Sequence, residues 1–135
     1  MQLTILGSGT NVHPSRAAAG YLVRTDHDIL LDFGPRTLMN LIKTGVDRNQ
    51  ITHILISHFH ADHFSDFITF FFDAVIFTKY QGGKRPPLTI IGPVGTKAVV
   101  DHIVASLAPD MGYRIAHHAD LDGPPRIDVV EVTEG

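Results

Sequence analysis

A chain of 135 residues with 44% hydrophobic and 19% charged side chains suits one globular domain and is too apolar to be disordered. Its formal net charge of −3 excludes an overall basic field of the kind that grips long nucleic acid non-specifically. The absence of cysteine excludes disulfides, thiolate metal sites and a cysteine nucleophile, leaving His, Asp and Glu as the side chains able to ligate metal.

The N-terminus, Met1-Gln2-Leu3-Thr4-Ile5-Leu6-Gly7, has no positive region and too short an apolar run for a signal peptide, which points to the cytoplasm. Gln2 to Leu6 reads as a first strand. Gly7-Ser8-Gly9-Thr10 follows as a tight turn and not a nucleotide loop, because the third glycine and a following helix are lacking. Gly20 to Arg24 and Asp28 to Asp32 alternate like sheet strands around a hairpin turn at Asp26-His27. Pro35 suits a first helical position, Leu38, Leu41 and Ile42 recur at helical spacing, and Gly45 stops the helix.

Ile51 to Ser57 is a β-rich run. From Phe64, positions 64, 67, 68, 71 and 75 line one helix face, and the additional Phe70, Phe72 and Ile76 call for burial on more than one side. This stretch carries Asp66 and Asp73 and is too short to cross a bilayer. Lys79, Tyr80, Lys84 and Arg85 form the one basic cluster, read as part of a solvated loop. Leu88 to Ile91 is a further strand, and Gly92-Pro93 opens a helix to about Leu107, beyond which Pro109 and Gly112 break the pattern. His117-His118-Ala119-Asp120 reads as a polar surface loop before a last strand, Ile127 to Val132. Strands interleaved with helices indicate the α/β class, and the early hairpins call for a mixed sheet within a single domain, residues 1–135.

Four of the nine histidines fall between positions 53 and 63, and three of them share the six-residue window His58-Phe59-His60-Ala61-Asp62-His63, directly after a strand. In an extended segment side chains two apart point the same way, so His58 and His60 can converge on one ion while Asp62 and His63, at the turn into a helix, reach a second. His53 lies on the strand itself, where the pleat directs it away from that pair. Imidazole and carboxylate suit zinc, manganese or iron, with zinc the default. A hydroxide bridging two such ions has a lowered pKa and can attack a scissile group at neutral pH, which is hydrolytic chemistry. His13, in the first loop, is read as facing solvent at the rim of this cluster.

The run from Leu30-Leu31-Asp32-Phe33-Gly34-Pro35 through Ser57-His58-Phe59-His60-Ala61-Asp62-His63 resembles the metallo-β-lactamase superfamily. Leu6-Gly7-Ser8-Gly9-Thr10 with Pro14 and Arg16, together with Ile90-Ile91-Gly92-Pro93-Val94-Gly95-Thr96, is similar to its ribonuclease Z-like branch. The resemblance implies that His58 and His60 hold a first metal and Asp62 and His63 a second, with Asp62 also the candidate catalytic residue. It implies that Asp32 supports the metal loops without being a ligand. It further implies a metal-dependent hydrolase, foremost a phosphodiesterase acting on a small phosphodiester or an RNA 3′ end, with a sulfatase- or lactonase-type hydrolase as the alternative.

The family draws further histidine and aspartate ligands from later strands, so this chain is expected to be the N-terminal half of an αββα sandwich. The corresponding expectation is a metal-binding half-domain, inactive alone, that self-associates or meets a complementary C-terminal half.

Overall fold

In the computed structural model, which describes residues 1–80, 85–117 and 126–133, alternating apolar side chains draw six strands into one sheet. These are β1 (Gln2–Gly7), β2 (Gly20–Arg24), β3 (Asp28–Phe33), β4 (Ile51–Leu55), β5 (Leu88–Pro93) and β6 (Ile127–Val132), in that spatial order. β1, β2 and β3 pair as antiparallel hairpins, whereas β3 to β6 pair in parallel. Parallel neighbours need crossover connections. Here they are α1 (Thr37–Lys43), then α2 (Ala61–Phe64) with α3 (Asp66–Tyr80), then α4 (Thr96–Ser106) with α5 (Ala108–His117). The mixed α/β sheet expected from the sequence is therefore the one observed.

The two faces of the sheet differ in what covers them. Leu22, Leu30 and Ile90 lie in register with Ile54 across four strands and are fully buried, packed in one cluster with Phe33, Phe67, Phe70, Phe71, Val100 and Ile103. Phe33 and Phe70 meet edge to face at 5.5 Å, the geometry the ring quadrupole favours. On the other face, Ile5, Tyr21, Leu31, Leu55, Ile91 and Val130 form an equally continuous row in register. Its ends are open, with Ile5 63% and Val130 46% exposed.

Several local expectations are corrected. Pro35 stands outside α1: the chain passes through a left-handed Arg36 (φ 73°), and the helix starts at Thr37, whose hydroxyl donates to the Gly34 carbonyl at 2.6 Å. The apolar run from Phe64 is two helices divided at Ser65. Gly92-Pro93 does not open a helix, because β5 continues through Pro93. α4 begins after Gly95, whose positive φ of 100° turns the chain, and its first amides are met by Glu131 of β6, which accepts from Gly95 N at 3.0 Å and Lys97 N at 2.9 Å. Pro109 and Gly112 do not end helical structure, since both lie within α5; a proline in a first turn forfeits an amide that has no intrahelical partner anyway. His117 is the last residue of α5, and positions 118–120 lie outside the described residues.

Arg85 is a further correction. Its guanidinium does not lie in a solvated loop. It donates from Nη2 to the Ile51 carbonyl at 2.8 Å and stands 5.4 Å over the Phe70 ring, and burial lowers its pKa. It thus ties the start of β4 to α3. Arg48 adds a forked pair with Asp73 of α3, at 2.5 and 3.0 Å, which raises the Arg48 pKa.

Asp66, in the first turn of α3, accepts from the Leu38 amide at 2.9 Å and so caps α1, whose own N-cap side chain makes no such bond. Burial raises the Asp66 pKa above its ordinary value of 3.8, and hydrogen bonds from Leu38, Arg36 and Thr37 oppose the shift without cancelling it. A folded-state pKa above the unfolded one means that this group contributes stability below its unfolded pKa and loses it as pH rises through the raised value. Urea titrations across the acid range should show wild type losing stability relative to Asp66→Asn as pH rises; parallel profiles would contradict this. Phe70→Ala, which empties a fully buried site and removes the ring beneath Arg85, should cost about 3–5 kcal/mol in the same assay.

Candidate metal centre

β3 and β4 are parallel neighbours, so their carboxyl ends emerge at the same edge of the sheet. That is where open α/β sheets present their sites. Asp32 at the end of β3 therefore meets Ser57, just beyond β4, across 25 positions of sequence. Asp32 is buried and holds a left-handed backbone at φ 52°, a conformation a non-glycine residue keeps only where its surroundings enforce it. Its carboxylate supplies the enforcement. Oδ1 accepts from the Ser57 amide at 2.7 Å, and Oδ2 accepts from the Ser57 hydroxyl at 2.8 Å and stands 2.8 Å from His63 Nδ1.

The histidine cluster is gathered around this anchor. His60 is the extended N-cap of α2, and the His63 amide donates back to its carbonyl at 2.9 Å, so a single turn returns His63 toward His58. The His58 ring centre lies 4.6 Å from that of His60 and 4.0 Å from that of His63. His58 Nδ1 is 2.9 Å from the Ser57 hydroxyl. Rings engaged through Nδ1 keep Nε2 for another partner, which is how ligating histidines are oriented.

The backbone of the turn is seated on glycine. A Cβ at Gly34 would fall 2.0 Å from the Asp62 carbonyl oxygen and 2.8 Å from the Ala18 side chain, so only glycine lets β3 and the motif approach this closely. Neither Ser57 nor Gly34 was singled out as a site residue in the sequence, although both adjoin motif residues. Ser57 immediately precedes the cluster, and Gly34 follows Asp32 by two positions.

Other candidates fall elsewhere. His13 turns its Nδ1 to the amides of Ser15 and Arg16 at 3.2 and 3.0 Å, organising its own loop. Arg36 donates to the carbonyls of His13 and Arg16, which fixes that loop beside the turn carrying Gly34. His53 pairs with the Thr52 hydroxyl at 2.8 Å and with the His27 ring at 5.5 Å, away from the cluster. A hollow of about 360 Å³, lined by Tyr21, Leu31, Leu55 and Ile91 among others, runs from the open sheet face to Asp32 and Ser57.

Imidazoles at this spacing, with Nδ1 engaged and no thiolate nearby, fit divalent cations of the zinc, manganese or iron kind. They fit as part of a donor set: among the described residues no group of three or more His, Asp or Glu side chains stands in a metal-holding arrangement.

This architecture is that of the metallo-β-lactamase fold. The crystal structure of the short form of human tRNase Z matches all of this chain and 46% of its own, with a TM-score of 0.71 and 26% identity. The metallo-β-lactamase fold protein YhfI from Bacillus subtilis matches 97% of this chain and 46% of its own, with a TM-score of 0.66 and 21% identity. A family model described as anti-Pycsar protein Apyc1 matches residues 1–122, and the chain belongs to that family. The chain is also similar to the ribonuclease Z-like branch of the superfamily: ribonuclease Z of Mycolicibacterium gilvum is 39% identical over 140 residues, covering all of this chain and 47% of that protein. Ribonuclease Z of Mycobacterium avium is 38% identical, with 48% covered. The chain spans about half the length of these curated relatives.

The seat at Gly34 is directly testable. Gly34→Ala should shift the His60–His63 turn and broaden or displace the amide resonances of Asp62 and His63 while β1 and β2 keep theirs. An unchanged spectrum around the motif would show that the close approach is not needed.

Proposed function

We propose that residues 1–135 contribute one side of a two-cation centre in a metal-dependent hydrolase of phosphodiester bonds. His58 and His60 serve one cation, and Asp62 and His63 the other. The observation that carries this reading is the packing of the His58 ring against two other imidazoles, His60 at 4.6 Å and His63 at 4.0 Å, with His58 and His63 tied through Nδ1 to a buried carboxylate or its serine partner. Zinc is the cation of first choice for such a donor set, with manganese and iron able to occupy it. The similarity to proteins named ribonuclease Z supports the phosphodiester class.

The bound cations would supply an activated water and neutralise charge on the phosphoryl oxygens. The chain's own residues hold this chemistry in place. Asp32 and Ser57 orient the imidazoles, Gly34 admits the Asp62 turn, and the apolar hollow beside Asp32 offers a low-dielectric wall against which charge interactions strengthen. The net charge of −3 favours a small phosphodiester over a long RNA held by these residues alone.

The remaining donors are proposed to come from outside residues 1–135, either on a complementary C-terminal half or on another copy. The incomplete donor group and the open apolar row from Ile5 to Val130 support this. No helix among the described residues is long and apolar enough to cross a membrane, and the proposed setting is the cytoplasm.

Calorimetric titration with zinc tests the assignment. Asp62→Ala should weaken one cation equivalent by about tenfold or more, and His58→Ala or His60→Ala the other. Identical isotherms in all three variants would sink the pairing. A chromogenic phosphodiester should be cleaved once a complementary half is supplied; a sulfate ester or lactone cleaved in its place would redirect the substrate class.

A further inference from the structure

We propose that Ser57 is a positioning residue whose hydroxyl relays the charge of Asp32 to His58, so that one carboxylate sets the ring tautomer of an imidazole at each of the two cation sites. The proposal rests on the two-cation reading of the centre, and its own evidence is the geometry of four hydrogen bonds around Asp32 and Ser57.

An ionised carboxylate can only accept. Asp32 Oδ1 takes the Ser57 amide proton at 2.7 Å, and Oδ2 takes the Ser57 hydroxyl proton at 2.8 Å. A hydroxyl has a single proton. Once it points at Asp32, what Ser57 Oγ offers His58 Nδ1, 2.9 Å away, is a lone pair, so that nitrogen carries the hydrogen. The reverse direction would leave a carboxylate oxygen and a hydroxyl oxygen 2.8 Å apart with no proton between them. His63 Nδ1, 2.8 Å from the same Oδ2, must also be protonated. The chain therefore reads His58 Nδ1–H to Ser57 Oγ–H to Asp32 Oδ2, met from the other side by His63 Nδ1–H. Both rings present Nε2 as a lone pair, the form a cation needs. His58 belongs to one proposed site and His63 to the other, so the two sites share one orienting charge.

The polarity of this chain can be reversed by one substitution. Asparagine tolerates the left-handed backbone of position 32. Its oxygen must stay opposite the Ser57 amide, which places its NH₂ where Oδ2 stood. That group donates, so Ser57 would turn its proton to His58 Nδ1, and His63 Nδ1 would accept. Asp32→Asn should thus move the proton of both rings to Nε2, whereas Ser57→Ala should release His58 alone.

The experiment is long-range ¹⁵N–¹H NMR of the histidine rings in the metal-free chain at mildly alkaline pH, with His60, outside the chain of bonds, as internal reference. Wild type should show Nδ1–H at His58 and His63, Ser57→Thr should keep both, Ser57→Ala should lose the preference at His58 only, and Asp32→Asn should invert both. In zinc titrations Ser57→Ala should weaken one equivalent by about tenfold or more and spare the other. A wild-type His58 protonated at Nε2, or a Ser57→Ala protein with the His58 tautomer unchanged, would overturn the relay. Tautomers as expected in a wild-type chain that binds no zinc even when a complementary half is supplied would uphold the relay and remove the two-cation reading instead.

Discussion

One carboxylate, held in a left-handed turn at the end of β3, connects the strand scaffold to two of the three clustered imidazoles. Asp32 gathers the amide and hydroxyl of Ser57 and the ring of His63, and through Ser57 it reaches His58. A buried anion is costly unless its lone pairs are met by donors. Here the donors are the motif itself, so satisfying Asp32 and arranging the histidines are the same event. The left-handed backbone at position 32 persists because releasing it would leave that charge unpaired.

The sheet makes this meeting possible. Parallel pairing of β3 with β4 brings their carboxyl ends to a common edge, and the crossover through α1 is anchored by Asp66 from the helix that follows the motif. Gly34 then sets how near the motif turn can come, because any side chain there would collide with the Asp62 carbonyl. The scaffold and the site therefore cannot be altered independently within this region. The opposite face of the sheet is a different matter, since its apolar row from Ile5 to Val130 makes no contribution to the buried cluster.

Much of the architecture was legible from period alone. Alternation gave away the strands from Gln2 to Asp32, and the helical spacing from Phe64 located the long helix α3, although Ile68 on the expected apolar face is exposed; both periodicities are local properties of the backbone. The errors were also local in origin. Gly92-Pro93 has the composition of a helix opening, yet β5 runs through it because Glu131, a side chain from β6, caps α4 three residues later. Pro109 and Gly112 read as breakers, but α5 contains both. Arg85 looked like a loop cation, and only the placement of Phe70 and the Ile51 carbonyl shows that it is a packed tie.

By itself, the sequence determined the class of fold, the strand that precedes the cluster, and the grouping of His58, His60, Asp62 and His63 that the proposed centre uses, since residue type and spacing within six residues survive without any knowledge of distant contacts. The tertiary structure alone decided which nitrogen of a ring faces outward, that Ser57 belongs to the site, and that Gly34 is its seat. Those features depend on residues some 25 to 31 positions apart coming within hydrogen-bond range. Chain order carries no record of such distances; they exist only once β3 and β4 lie side by side.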